Sequence, residues 1–68
     1  MKSKPLVDRL KEYISGGDIT VMEAAIGTEV TVYTISNWIK ERHYPRSLTT
    51  IKQLKRYINK LDKKFGEK

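Results

Sequence analysis

EVTVYTISNWIKERHYPRS, residues 29–47, reads two ways. Val30, Val32 and Tyr33 are strand formers, and on composition alone V-T-V-Y-T-I is a strand. Alternation of period two lasts only a few residues, however. From Thr31 onward, Ile35, Trp38 and Ile39 fall at i, i+3 and i+4, which is one face of a helix. Thr31 supplies a side-chain oxygen for the first turn. The pattern therefore predicts a helix over roughly residues 31–41. Its β-branched residues cost roughly a few tenths of a kcal/mol each, so packing must hold it.

Working outward, Thr20-Val21-Met22-Glu23 is a capping box: the Thr hydroxyl reaches the backbone three residues on, and the Glu reaches back. It predicts a short helix carrying Met22, Ala24, Ala25 and Ile26, stopped by Gly27. Upstream, Leu6, Leu10 and Ile14 recur every four residues in an amphipathic helix, with Pro5 in its first turn and Gly16-Gly17 at its end. Downstream, Pro45 lies in a loop and Ser47 caps the longest pattern. There Leu48, Ile51, Leu54, Ile58, Leu61 and Phe65 make one apolar stripe, with Lys52, Lys55, Arg56, Lys60, Lys63 and Lys64 away from it. The expected fold is an all-α domain of four to five helices spanning 1–68. Its core runs over about 5–62, with 63–68 as a frayed tail. Leu10, Ile14, Ala25, Val30, Ile35, Trp38 and Leu54 are expected inside.

Sixty-eight residues make one small domain. With Met at position 1, that length suits a whole protein. There is no cysteine, hence no disulfide framework and no thiolate site, which is compatible with a reducing cytoplasm. No apolar run approaches the ~20 residues of a membrane span, and the charged N-terminus lacks a signal-peptide core. His43 is the only histidine, so no metal site is expected. No nucleophile–base set, carboxylate pair or Gly-rich phosphate loop appears, and neither an enzyme nor a cofactor is expected. Ile35, Trp38 and Leu54 at helical spacing read as core, not as a small-molecule pocket.

Charge is polarised. Residues 1–39 hold four Lys/Arg against five acids, while residues 40–64 hold nine Lys/Arg against Glu41 and Asp62. Such a region addresses either an anionic partner, nucleic acid first, or simply water as a solubilising face.

Two short helices joined by a tight turn, the second with small polar residues outside, describe a helix-turn-helix. The ordered set Thr20, Glu23, Ala25, Val30, Thr31, Ile35-Ser36, Trp38, Arg42 to Pro45, Ser47-Leu48, Ile51 and Leu54 resembles the Cro/CI-like (Xre) family of phage and bacterial DNA-binding repressors. The resemblance covers about residues 6–61 and implies a lambda-repressor-like fold. It departs at Glu29, where the family usually has Gly. Either Glu29 takes a left-handed backbone, or Gly27 ends the second helix early and lengthens the turn; the second reading is preferred. Glu23-Ala24-Ala25, Val30 and Thr34 to Lys40 are also similar to excisionases and MerR-like winged-helix proteins. Those place a β-hairpin where residues 47–65 here read as helix.

The resemblance implies cytoplasmic double-stranded DNA binding, as a homodimer on a palindrome, with repression by occlusion. Base contacts would fall on Val32 (a thymine methyl), Tyr33, Ser36 and Asn37 (bidentate to adenine). No arginine accompanies them, which leans the site toward A·T. Phosphate contacts would come from Thr20, Thr31, Lys40, Arg42, His43, Arg46 and Lys52. Leu61 and Phe65 are the candidate dimer surface; ordinary packing against Leu6 and Leu10 is the alternative. A DNA-bending recombination accessory and a protein-interaction module remain as other readings.

Overall fold

Caps set the helix starts, and the computed structural model, which describes residues 4–65, places them at Thr20, Thr31 and Ser47. Four helices follow in chain order: α1 Lys4–Ser15, α2 Val21–Thr28, α3 Val32–Ile39 and α4 Leu48–Lys64. The described residues contain no strand. At α2 the capping box is complete, with Glu23 N donating to Thr20 Oγ1 at 3.1 Å and Thr20 N donating to Glu23 Oε1 at 2.8 Å. At α3, Thr34 N donates to Thr31 Oγ1 at 3.1 Å. Each cap satisfies an amide that the first turn leaves without a partner.

The first three helices end alike. Gly17, Glu29 and Glu41 sit in the left-handed region at φ 85°, 62° and 62°. Each helix closes with the paired hydrogen bonds of a Schellman turn: Asp18 N to Tyr13 O and Gly17 N to Ile14 O; Val30 N to Ala25 O and Glu29 N to Ile26 O; Arg42 N to Asn37 O and Glu41 N to Trp38 O. The preferred reading of the α2–α3 turn is thus corrected. Gly27 does not stop α2; it lies inside the helix, and Glu29 takes the left-handed seat. A side chain there costs roughly 1–2 kcal/mol. Glu29 also accepts a hydrogen bond from Gln53 Nε2 at 3.2 Å. Glu29→Gly removes the strain but loses that bond and loosens the unfolded chain. The balance should still favour glycine by about 0.5 kcal/mol, raising the melting temperature by about 2–4 °C in a thermal melt. A lowered melting temperature would mean that the strain is not borne at Glu29.

Gly27 has another purpose. A Cβ built on it would lie 2.2 Å from Tyr57 Cε1 and 2.5 Å from Cδ1. The ring takes the space that a side chain at Gly27 would fill, and Tyr57 Oη donates to Glu23 O at 3.3 Å.

The core is Val7, Leu10 and Tyr13 of α1, Ile19, Ala24 and Ala25, Ile35 and Trp38 of α3, and Leu54, Ile58 and Leu61 of α4. Each fully buried Leu or Ile contributes about 1.5–3 kcal/mol. The α1 stripe is rotated from the expected one. Leu6 and Ile14 are half-buried and Val7 and Tyr13 are inside, because a four-residue spacing drifts around a helix of period 3.6. Val30 is likewise half-buried. Leu61 is not a dimer surface but core, at 4% exposure. Phe65 is half-buried, its ring 5.8 Å from that of Tyr13. Leu48, Met22 and Ile26 are exposed, outside the core. Helix α4 carries Lys63 and Lys64 as its last turn, so the expected tail begins later; residues 66–68 lie outside the described residues. Arg9 and Tyr13 both donate to Asp62, joining α1 to the far end of α4. That hydrogen bond, with burial second, pushes the Tyr13 hydroxyl above its ordinary pKa.

Candidate nucleic-acid interface

Helix α3 buries Ile35 and Trp38, and this fixes which side faces out. Val32, Ser36 and Lys40 follow at i, i+4 and i+8, and Tyr33 stands beside them one turn from Ser36. Val32 is 46% and Tyr33 74% exposed, Lys40 is exposed, and Ser36 is half-buried. No hydrogen bond joins the Tyr33 hydroxyl to any described residue, and the ring stands clear of the core.

Asn37 does not belong to this strip. It is 8% exposed, which corrects its placement as an outward base-reading residue. The chain following the Schellman turn folds back over it. Asn37, Thr34 and Trp38 line a cleft of about 410 Å³ together with Tyr44, Pro45 and Thr50. Pro45 is buried there. Periodicity marks Asn37 as polar and adjacent to Tyr33; only the path of the loop decides that it is covered.

Thr20 and Thr31 are exposed, but their hydroxyls are committed to capping. At the start of α2 the Glu23 carboxylate already occupies the position an anion would take beside the first-turn amides. Thr31 has no acid in the first turn that follows it.

Arg42, His43 and Arg46 are all exposed on the loop between α3 and α4, and Lys52 on α4. The loop is aimed by the Glu41 turn, and a clamp holds that turn: Lys11 Nζ of α1 lies 2.7 Å from Glu41 Oε2. The bond raises the Lys11 pKa and lowers that of Glu41, in both cases chiefly through the hydrogen bond itself. The depressed carboxylate contributes stability that is present above the ordinary carboxylate range and lost as pH falls through its folded value. The raised ammonium contributes stability that is present below the ordinary lysine value and lost as pH rises through its folded one. Lys11→Met should therefore return the Glu41 pKa upward, read by NMR titration of its side-chain carboxyl. An unmoved titration would remove the clamp.

The cations divide sharply. Lys4 pairs with Asp8, Arg9 with Asp62 and Lys11 with Glu41, all in α1. None of the nine Lys and Arg from Lys40 to Lys64 has a carboxylate within 4.0 Å among the described residues. Five of those nine, Lys55, Arg56, Lys60, Lys63 and Lys64, lie outside the contact set expected from sequence. Their spacing opposite Leu54, Ile58 and Leu61 is the signal that could have included them. No three His, Cys, Asp or Glu side chains of the described residues converge as metal ligands. No described helix is long and apolar enough to cross a membrane.

Comparison with protein-family models, curated proteins and solved structures returns no match for this chain.

Proposed function

We propose that the chain binds double-stranded DNA at specific sites, with α3 in the major groove, and acts as a transcriptional repressor of phage or mobile-element type by blocking access to a promoter. The observation that carries this reading is the unpaired state of every described cation from Lys40 to Lys64, next to a short helix whose outer strip is free of acids. Unneutralised cations meet phosphates with release of counterions, which supplies affinity. Val32, Tyr33 and Ser36 make the base-edge and thymine-methyl contacts that give sequence preference. Lys40, Arg42, His43, Arg46 and Lys52 hold phosphates on either side. Asn37 supports the loop from beneath instead of reading adenine. On a palindrome, two copies would set their α3 helices about 34 Å apart. A winged, excisionase-like arrangement is disfavoured, because a 17-residue helix stands where the hairpin would be.

The test is selection from a random duplex library at two salt concentrations, with wild type and a Val32→Ala, Tyr33→Ala, Ser36→Ala triple variant. Wild type should enrich a short motif. The variant should bind that motif at least about tenfold more weakly and keep a salt-sensitive, motif-blind affinity. If wild type binds in proportion to charge and enriches nothing, specific readout by α3 is wrong.

A further inference from the structure

We propose that the outward face of α4 is a second, sequence-independent surface for the DNA phosphate backbone, holding duplex beyond the segment that α3 addresses. This rests on the DNA-binding reading and extends its footprint.

Leu54, Ile58 and Leu61 point α4 into the core, so a helix of period 3.6 aims Lys52, Arg56 and Lys63 directly away from it, with Lys55 and Lys60 on the flanks. From Lys52 to Lys63 this ridge is about 16 Å long, at 1.5 Å per residue. A duplex presents one charge per roughly 1.7 Å of its axis, so a ridge of that length meets several phosphates. No carboxylate of α4 cancels it, since Asp62 is turned onto Arg9 and Tyr13. Glu29 comes near it from the α2–α3 turn. It shares a hollow of about 200 Å³ with Arg56 and Lys60, yet its bond is to Gln53.

Position separates the ridge from the α3 strip. Helix α2 packs against both α3 and α4. The ridge and the strip thus belong to different helices, both packed on α2. In the proposed complex, DNA lodged on α3 meets the α4 ridge with its flanks.

The chemistry favours phosphodiester over a lipid surface. A helix that lies on a membrane needs its apolar face free. That face of α4 is the protein core, and its exposed large apolar residue is Leu48, at the helix start. A DNA backbone requires cations alone.

The experiment compares wild type with a Lys55→Gln, Arg56→Gln, Lys60→Gln, Lys63→Gln variant, which leaves Lys52 and the loop untouched. All four positions are exposed, and a thermal melt should confirm an unchanged fold. Binding is measured on the selected motif in a duplex of about 15 bp and in one of about 35 bp, over a salt series. Wild type should bind the longer duplex at least about tenfold more tightly at low salt. The variant should lose that gain, show a salt slope shallower by about 2–4, and enrich the same motif. If the variant keeps the wild-type slope and the gain from flanks, the α4 surface is overturned while motif reading stands. If wild type binds neither duplex, both readings fall. If it prefers vesicles of phosphatidylcholine with phosphatidylglycerol over the long duplex, and the variant loses that, the ridge serves a membrane and the proposal is wrong.

Discussion

Trp38→Ala should remove about 3–5 kcal/mol of stability, half or more of what a chain of this length commonly has. Trp38 is 2% exposed and sits where α3 meets the rest of the core. Its other edge lines the cleft under Tyr44 and Pro45, so it supports the basic loop as well as the helix. Truncating a buried Trp to Ala costs about 3–5 kcal/mol through lost burial and the cavity left behind. The whole domain has about 3–10 kcal/mol to lose, at 0.05–0.15 kcal/mol per residue. Helix α3 has no reserve of its own, being eight residues long and rich in β-branched side chains. Far-UV circular dichroism should show most of the helical signal gone, or a melting temperature lowered by at least about 12 °C. Tyr33→Ala, on the exposed side of the same helix, is the control and should stay within about 0.5 kcal/mol of wild type. Equal effects from the two would mean that α3 is not seated on the Trp38 face.

That contrast between Trp38 and Tyr33 was legible in the sequence, because Ile35, Trp38 and Ile39 share one side of a 3.6-residue period. The caps were legible too. Thr20, Glu23, Thr31 and Ser47 act within one turn of themselves, so local spacing is enough to find them. What escaped sequence reading depends on the path of distant chain. Asn37 is buried in a cleft it shares with Tyr44 and Pro45, and no periodicity in α3 reports where a later loop will fold. Leu61 and Phe65 belong to one stripe, yet Leu61 is inside the core and Phe65 only half-buried at its edge, beside the ring of Tyr13. Tyr13 itself was passed over because the spacing of Leu6, Leu10 and Ile14 placed the stripe slightly off the buried side. In the cation ridge, each Lys looks like ordinary surface charge until the partners of the α1 cations are seen beside it. Gly27 is the largest misreading, and its reason lies thirty residues away.

Glycine inside an eight-residue helix, one residue from its end, looks like a defect to be repaired. On helix propensity, Gly27→Ala should stabilise α2 by about 1 kcal/mol. The packing opposes this. The new methyl would meet the Tyr57 ring at 2.2 Å, far inside contact distance, and three ring carbons lie within 2.7 Å. Swinging the ring aside breaks the bond from its hydroxyl to Glu23 O. Admitting the methyl means separating α2 from α4 or driving Tyr57 off its rotamer, at a cost of about 1–3 kcal/mol. The clash outweighs the propensity, so Gly27→Ala should be destabilising by about 1 kcal/mol net, lowering the melting temperature by about 4–8 °C. The sign itself is diagnostic in a double-mutant cycle. Once Tyr57→Ala has cleared the ring, only the backbone term remains, and adding Gly27→Ala should raise stability. One substitution would then act in opposite directions in two backgrounds, which neither a simple helix stop nor a flexible hinge at Gly27 predicts. If Gly27→Ala stabilises the wild-type protein, the close approach of α2 and α4 through this glycine is wrong, and with it the placement of the α4 ridge beside α2.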